Sequence, residues 1–326
     1  MGGDAAQILD SLKTEDRKSI ALLSLNPAVD ITYDVPRLVP DQKVHAQATR
    51  YDPGGNGINV ARSLKRLGVT PFHICVTAGD IGSFLKGLLR GKVGPIDYVA
   101  VEGETRINGT VLEREAGNQY EVSGIGPVIQ HDILDAILTR YLEQAQQGIG
   151  VLTGSTPACV DEDLYAQLIP RIQQSEGMAV VDSHDAPLRH ALQAKPFLIK
   201  PNRFEFEKLM NRKLPRLTDV ADAAREVCAS GVKIVCVSLG GQGVLAASDG
   251  GVMLAQAPQV KVDSTVGAGD SMVGGLVAAL AAGLGIRQAL MLGVACGAGT
   301  VQHPGTELFR YEDVLTLLPK VKTEYL

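Results

Sequence analysis

Short apolar runs alternate with amphipathic stretches along most of the chain. The runs are rich in β-branched residues and predict strands, whereas the stretches between or after them have helical spacing. The predicted strands are Ile20–Leu25, Pro71–Thr77, Ile149–Thr153, Met178–Asp182, Phe197–Ile199 and Lys233–Ser238. The predicted helices are Gly57–Leu67, Ile81–Arg90, Asp132–Gln146, Asp161–Gln174 and Thr218–Ala229. This alternation predicts an α/β fold with a mostly parallel central sheet, covered by helices on both faces.

Two segments, residues 29–52 and 98–122, break this rhythm with alternating, more polar patterns and turn residues. We expect their strands to form a small second sheet, a lid, over one end of the main sheet. Ligands bind beyond the carboxyl ends of parallel strands, so a lid there would exclude water from a reaction. The alternative is a pair of surface loops. The predicted organisation is one domain, residues 20–318, preceded by an N-terminal extension, residues 1–19.

Composition and charge narrow the classes of function. Of the 326 residues 45% are hydrophobic and 21% charged, which is enough apolar material for a sizeable core. The net charge of −5 and the absence of tryptophan disfavour a nucleic-acid binder, because neither a basic surface nor much stacking surface is available. Glycine is frequent, with 36 residues, or about 11% against a usual fraction of roughly 7%.

Cysteine usage and the apolar stretches indicate a cytoplasmic protein. The five cysteines are odd in number, scattered and never spaced as CxxC, which favours free thiols in a reducing compartment. The first 19 residues have no apolar stretch of signal-peptide length. The apolar stretch Ser271–Ile286, which has no charged residue, is too short to span a membrane and contains four glycines, so we expect a buried helix there and no membrane partner.

The segment Asp263–Gly275, with the sequence DSTVGAGDSMVGG, carries the clearest chemistry. Gly267 and Gly269 allow tight turns ahead of an apolar helix, whose N-terminus presents unpaired N–H groups and the positive end of the helix dipole. Phosphate is the natural ligand of such a site. Asp270 is then a candidate general base for an attacking hydroxyl, or alternatively a cap for its own helix.

A second glycine cluster, in Asp52–Arg62 (DPGGNGINVAR), opens another predicted helix and would let backbone approach a small polar ligand. Its spacing is not that of a GxGxxG dinucleotide loop, which argues against a nicotinamide-dependent dehydrogenase. No lysine followed by serine or threonine completes a P-loop either.

Together these two segments resemble the two signatures of the ribokinase-like, PfkB-type sugar kinases. Further matching segments are Asn26–Asp30, Lys43, Leu152–Ser155 and Ile199–Glu205. They resemble the phosphosugar branch of that family, which contains type-2 6-phosphofructokinases, 1-phosphofructokinases and tagatose-6-phosphate kinases. The resemblance extends from about Ile20 to Leu318 and is greatest to the first of these.

The resemblance implies a ribokinase-like fold and ATP-dependent phosphorylation of a hexose phosphate, with fructose 6-phosphate as the leading acceptor. Tagatose 6-phosphate or fructose 1-phosphate as acceptor, and a non-catalytic sugar-phosphate sensor, are the alternatives. Asp270 resembles the catalytic base, and Gly267, Ala268 and Gly269 resemble the anion hole for the migrating phosphoryl group.

The resemblance also implies an acceptor site. Its residues would be Asp30, Lys43, Gly54, Gly55, Asn59, Arg106 and Ser155. Lys43 and Arg106 would meet the phosphate that the substrate already carries; alternatively, each is a solvated surface charge.

For ATP, the implied groups are Lys200, Asn202, Ser238, Gly240 and Gly243. Asn202 and Glu205 resemble the family's Mg²⁺ motif and would act partly through water, although Asn202 could equally cap the helix that follows. Carbonyl groups around Ser264 and Val266 resemble a K⁺ site found in some relatives.

Three positions depart from the family pattern. His45 stands where relatives often have an arginine, and Asn56 replaces a lysine common in the tagatose-6-phosphate and 1-phosphofructokinase branches. Residues 302–307 differ from the type-2 pattern, which puts the K⁺ site in doubt. The exposed strand edges of a lid also predict a homodimer formed through it.

Overall fold

The apolar runs form the strands of a ten-stranded sheet in the computed structural model, which describes residues 2–326. Within these residues the strands are β1 (Ile20–Ser24), β2 (Ala28–Val35), β3 (Ala48–Gly54), β4 (Phe72–Ala78), β5 (Asp97–Val101), β6 (Arg106–Glu113), β7 (Asn118–Val122), β8 (Ile149–Thr153), β9 (Met178–Asp182), β10 (Leu198–Ile199), β11 (Ile234–Ser238), β12 (Val244–Ser248), β13 (Gly251–Gln256) and β14 (Lys322–Tyr325). The helices are α1 (Gly2–Ser11), α2 (Asn56–Arg66), α3 (Gly79–Leu89), α4 (His131–Ala145), α5 (Leu164–Gln173), α6 (Asp185–Gln193), α7 (Arg203–Leu209), α8 (Leu217–Ala229), α9 (Ala268–Ala281), α10 (Ile286–Thr300) and α11 (Tyr311–Leu317).

The large sheet confirms the predicted fold class. Its strand order is β14-β13-β12-β11-β10-β9-β8-β1-β4-β5, and all neighbours from β11 to β5 pair in parallel. The chain moves outward from β1 to β4 and β5 and then returns to the other side of β1 as β8. Such a reversal opens a crevice at the carboxyl ends of the strands, which is where open α/β sheets bind ligands.

The second sheet has the order β3-β2-β6-β7, with β2 parallel to β6 and antiparallel to β3. It forms the predicted lid, so the alternative of two surface loops is wrong. The predicted bounds need one correction, because Asp97–Val101 is strand β5 of the large sheet and pairs with β4. Its alternating pattern reflects its place at the sheet edge, where burial is incomplete. Residues 36–47 form a loop between β2 and β3.

The core lies on both faces of the large sheet. On one face α2, α9 and α10 pack around buried side chains such as Ile58 and Leu276, and on the other α4, α5 and α8 do so. Every residue of α9 from Asp270 to Ala281 is buried. A Cβ atom on Gly275 would lie 2.8 Å from Cα of Gly293, so glycine at this position lets α9 and α10 approach closely.

The chain termini also pack on this core. Ile8, Leu9 and Leu12, in and just after α1, are buried with it, although they precede the predicted domain start at residue 20. Strand β14 lies beyond the predicted domain end at residue 318 and pairs with β13. No helix within residues 2–326 combines the length and the apolar character that crossing a bilayer requires.

Candidate active site

Asp270 lies in the first turn of α9, at the crevice between the large sheet and the lid. The helix begins at Gly267, whose φ of +75° is left-handed, and no side chain caps it. The Asp270 carboxylate therefore does not cap its own helix, which was the alternative to a catalytic role. It accepts hydrogen bonds from α2 instead: Nδ2 of Asn56 donates to Oδ1 at 2.8 Å, and Nδ2 of Asn59 donates to Oδ2 at 2.9 Å.

Burial and charge together shift the acidity of Asp270. The side chain is only 6% exposed, and its pKa is raised to about 6, first by burial and second by the charge of Asp182. The two amide donors and the cation of Lys200 act in the opposite direction. A carboxyl group with a pKa near the working pH can take up a proton and release it again, which a general base must do.

Lys200 lies directly after β10 and is buried beside this carboxylate. Its Nζ lies 3.0 Å from Oδ1 of Asp182, the last residue of β9. Burial alone would lower the pKa of Lys200, but the charges of Asp182, Glu205 and Asp270 outweigh it and raise the pKa. Lys200 is thus a fixed cation, and a Cβ atom on Gly269 would lie 3.4 Å from its Nζ.

The lid sheet carries a second carboxylate, which is half-buried. Asp30 on β2 accepts a hydrogen bond from Nδ2 of Asn108 at 2.8 Å, and burial raises its pKa despite that bond and the nearby charge of Arg106. A Cβ atom on Gly54 would lie 2.3 Å from the Asp30 carboxylate, so glycine is required there by space. Gly55 has a φ of +106° and forms the turn into α2.

Arg106 and Ser155 line one narrow crevice at the N-terminus of α2. Asn26 joins them: its carbonyl accepts from Nε of Arg106 at 3.1 Å, and its Nδ2 donates to Oγ of Ser155 at 3.3 Å. Burial lowers the pKa of Arg106, but the guanidinium stays charged near neutral pH. A guanidinium, a hydroxyl and a helix N-terminus converge here, which is a suitable set for an anionic group.

Lys43 and His45 do not reach this crevice. Both are exposed on the loop between β2 and β3, and within residues 2–326 neither has a side-chain hydrogen bond or ion pair. In this state the structure therefore brings Arg106, but not Lys43, to the acceptor side.

A cavity of about 270 Å³ lies at the start of α9, lined by the two residues that precede Asp270. The residues predicted for ATP that line it are Ser238, Gly240 and Gly243, and the residues predicted for the anion hole that line it are Ala268 and Gly269. Its wall is mostly apolar, with Val260, Met272 and Val294 among the lining residues, as suits a planar base. A Cβ atom on Gly243 would lie 2.0 Å from the carbonyl oxygen of Ala255, so this turn admits only glycine.

Asn202 and Glu205 form a capping box at the start of α7. Oδ1 of Asn202 accepts from the backbone N–H of Glu205 at 2.9 Å, and Oε2 of Glu205 accepts from the backbone N–H of Asn202 at 2.8 Å. The capping alternative for Asn202 is thus confirmed. Within residues 2–326 no group of three or more metal-ligating side chains occurs. A magnesium site here would therefore depend on water and nucleotide phosphates for most of its ligands, as Mg²⁺ sites commonly do.

The segment 302–307 is held by α2 and by the loop before α9. Arg62 donates to the carbonyl of Thr306 at 3.1 Å and to Oδ1 of Asn59 at 3.0 Å. Oγ of Ser264 donates to the carbonyl of Gly305 at 2.7 Å. The departure from the family pattern thus lies next to the carbonyl groups of the predicted K⁺ site.

A comparison with protein families identifies the chain. Residues 23–312 match the model of the pfkB family of carbohydrate kinases. The chain belongs to the pfkB family.

Individual relatives of the pfkB chain agree with this assignment. It is 35% identical over 296 residues to the ATP-dependent 6-phosphofructokinase isozyme 2 of Escherichia coli, covering 90% of this chain and 96% of that one. It is 32% identical over 306 residues to the 1-phosphofructokinase of Bacillus subtilis, covering 93% and 98%. The crystal structure of phosphofructokinase-2 from E. coli in complex with fructose-6-phosphate superposes with a TM-score of 0.85 at 32% identity, covering 94% and 99%.

Three functional contacts of this pfkB site were missed at the sequence level. Asp182 could have been found, because it ends a predicted strand on the side where ligands bind. Asn56 attracted notice as a departure from the family, but not as a donor to the carboxylate of Asp270. Asn108 gave no signal, since its pairing with Asp30 depends on the register of β2 and β6.

Proposed function

We propose that this pfkB-family chain is an ATP-dependent sugar-phosphate kinase that converts fructose 6-phosphate to fructose 1,6-bisphosphate. The observation that carries the proposal is the position of Asp270. Its buried carboxylate is bonded to Asn56 of the crevice that Arg106 lines, and it directly follows Gly269 of the cavity lined by Gly240 and Gly243. One cavity would take the nucleotide and the other the acceptor, so the base meets both.

In the proposed reaction the acceptor hydroxyl oxygen forms a bond to the γ-phosphorus of ATP, and the bond from that phosphorus to the β-bridging oxygen breaks. Asp270 takes the hydroxyl proton, and ADP leaves with the bridging oxygen. The N–H groups of Gly267–Gly269 and the cation of Lys200 neutralise the negative charge of the phosphoryl group during its transfer. Such preorganised donors are often the largest single contribution to catalysis.

The acceptor would be held on the lid side. Asp30 and Asn59 would bind its hydroxyl groups, with Gly54 and Gly55 clearing space for the ring. Arg106 and Ser155 would bind the phosphate it already carries, and Lys43 would join them when the lid loop closes. Closure would also exclude water, which otherwise competes with the sugar as the acceptor.

Mg²⁺, when bound with ATP, would shield the phosphate charges. Glu205 fits a role in holding it, because its Oε2 oxygen bonds to the backbone of Asn202 while the carboxylate keeps a second oxygen. Glu205→Gln preserves the capping geometry and removes the charge. We expect this variant to need a higher Mg²⁺ concentration for half-maximal rate, with a melting temperature close to that of the wild type. K⁺ activation, through the carbonyl groups of Ser264 and Val266, is tested by exchanging K⁺ for Na⁺.

A panel of acceptors tests the proposal. Initial rates of ADP release with fructose 6-phosphate, fructose 1-phosphate and tagatose 6-phosphate yield kcat/KM for each. We expect the highest value for fructose 6-phosphate. A clear preference for fructose 1-phosphate would favour the second candidate, which the similarity to a 1-phosphofructokinase supports. Binding of sugar phosphate without any ADP release would indicate a sensor.

A homodimer through the lid is part of the same proposal. The edges of the lid sheet are β3 and β7, and the apolar side chains of Tyr51, Tyr120 and Val122 on these strands are exposed. Pairing with a second copy would cover both the strand edge and the apolar surface. Light scattering should therefore give twice the mass of the chain, and a monomer at micromolar concentration would refute the dimer.

A further inference from the structure

Asn56 and Asn59 hold the two oxygens of the Asp270 carboxylate from different depths. Asn59 is buried, and Arg62 fixes its orientation, because the amide oxygen accepts from the guanidinium while the amide nitrogen faces Asp270. Asn56 is exposed and donates to Oδ1. Oδ1 is therefore the outer oxygen of the pair, and the one that a ligand entering from solvent meets first.

Asn56 is also part of the acceptor crevice. It is the first residue of α2 and lines the same crevice as Arg106 and Ser155. A Cβ atom on Gly154 would lie 3.1 Å from Oδ1 of Asn56, so the glycine backbone borders the amide on the side away from Asp270. The amide thus lies between the crevice wall and the carboxylate, and its orientation decides where Oδ1 of Asp270 points.

We propose that Asn56 is a positioning residue for the proposed kinase reaction: its amide holds the outer oxygen of Asp270 in the orientation that receives the acceptor proton. This inference rests on the proposed function and adds a residue to it. Asn56 does not itself take up a proton.

The charged groups around Asp270 set the sign of the expected pH effect. Asp182 from β9 disfavours its ionised form, whereas Lys200, after β10, favours it, with Glu205 of α7 facing Lys200. The amide of Asn56 acts with Lys200, because a hydrogen bond donated to a carboxylate stabilises the charge. Its loss should raise the pKa of the base and move the acidic limb of the rate profile to higher pH.

Two variants separate this role from a structural one. Asn56→Ala removes the hydrogen-bond donor. Asn56→Asp replaces the amide with a carboxylate of nearly the same shape, which carries the same negative charge as Asp270. Asn56→Asp also sets two carboxylates against each other, which lowers stability, so both variants are assayed well below their melting temperatures. The readout that separates the two roles is the acidic limb of the pH profile, which a loss of folding stability alone does not move. Gln167→Ala is the matched control, since Gln167 donates a similar amide–carboxylate bond to Asp163 at 2.9 Å on the exposed face of α5.

The experiment measures kcat, KM for ATP and the pH profile of kcat/KM for fructose 6-phosphate. We expect kcat to fall about 10-fold in Asn56→Ala and further in Asn56→Asp. The acidic limb should move upward in the same order, with KM for ATP unchanged within about twofold. An unchanged limb in Asn56→Ala, or a limb in Asn56→Asp no higher than that of Asn56→Ala, would overturn the inference. Should the wild type phosphorylate no sugar phosphate, the proposed function fails instead, so the two failures are distinguishable.

Discussion

Nζ of Lys200 lies 3.0 Å from Oδ1 of Asp182, and neither side chain is more than 10% exposed. This buried ion pair joins the ends of two neighbouring strands beside the carboxylate of Asp270. A buried pair is costly to break on one side only, because the remaining charge loses its partner while staying out of water.

Lys200→Met should therefore lower both stability and activity. We expect the free energy of unfolding to fall by about 3 kcal/mol in urea denaturation. We expect kcat to fall at least about 10²-fold, since a cation aimed at the phosphates is lost. The double variant Lys200→Met/Asp182→Leu should regain stability but not activity.

The pair of Lys213 and Glu207, 2.9 Å apart, supplies the control, because the lysine side chain is 80% exposed. Lys213→Met should change the free energy of unfolding by less than about 1 kcal/mol and leave turnover unaltered. Recovery of activity in the double variant would contradict a role of Lys200 in phosphoryl transfer.

The pKa of about 6 at Asp270 predicts an acidic limb in the rate profile. The base must be ionised to accept a proton, so kcat/KM for the acceptor should fall as pH decreases through about 6. Initial rates at saturating Mg²⁺ between pH 5 and 8.5 measure it. Asp270→Ala should lower kcat at least about 10²-fold with little change in ATP affinity. A flat profile down to pH 5 would argue against Asp270 as the base.

The same raised pKa predicts that ionised Asp270 destabilises the folded state, although the ionised form is the one that can act as a base. The folded state binds this proton more tightly than the unfolded state does, where the pKa is near 3.8. The contribution of Asp270 to stability is therefore most favourable below that pH and is lost as pH rises through about 6. Asp270→Asn removes the buried charge, so it should be more stable than the wild type at pH 8, by up to about 3 kcal/mol.

Denaturation curves at several pH values test this trade-off between function and stability. The advantage of Asp270→Asn should shrink as pH is lowered toward 4. A variant less stable than the wild type at pH 8 would show that ionised Asp270 stabilises the fold, contrary to the expectation.

Gly54 offers a steric test of the acceptor site. Gly54→Ala places a methyl group 2.3 Å from the Asp30 carboxylate, which must then move. We expect kcat/KM for the sugar phosphate to fall at least about 10²-fold, with KM for ATP unchanged, because displacement of a binding group by about 1 Å has that cost. In the matched control, Gly87→Ala on α3, the methyl group meets open space and activity should persist. Equal effects on ATP and sugar kinetics would place Gly54 outside the acceptor site.

Much of the fold could be predicted from the sequence. The bounds of β8 and β9 are as predicted, because each strand is a short apolar run that ends in a polar residue. Helix α10 was not predicted, since its small residues and glycines lack an amphipathic pattern: it is buried almost throughout. The hairpin of β12 and β13 was also not predicted, although Asp249 and Gly250 lie at its turn.

The candidate site likewise has features that could be predicted from the sequence and features that could not. The two glycine-rich signatures, the family and the place of Asp270 at a helix start follow from local patterns, because turns and helix starts depend on residues close together in the chain. The donors that hold Asp270 come from Asn56 and Asn59, more than 200 positions away. The sequence left two roles open for Asn202, in a Mg²⁺ site or as a helix cap. The capping bond is visible only in the structure, because it depends on where the side chain lies.

The sequence by itself therefore determined most of the elements, the family and the principal candidates for the reactive groups. Only the tertiary structure decided the environment of those groups: the burial that raises the pKa of Asp270, the ion pair of Lys200 with Asp182, and the place of β5 in the large sheet and not in the lid. The physical reason is that periodicity and turn chemistry depend on neighbouring residues, whereas desolvation and charge–charge interactions depend on which distant segments close packing brings together.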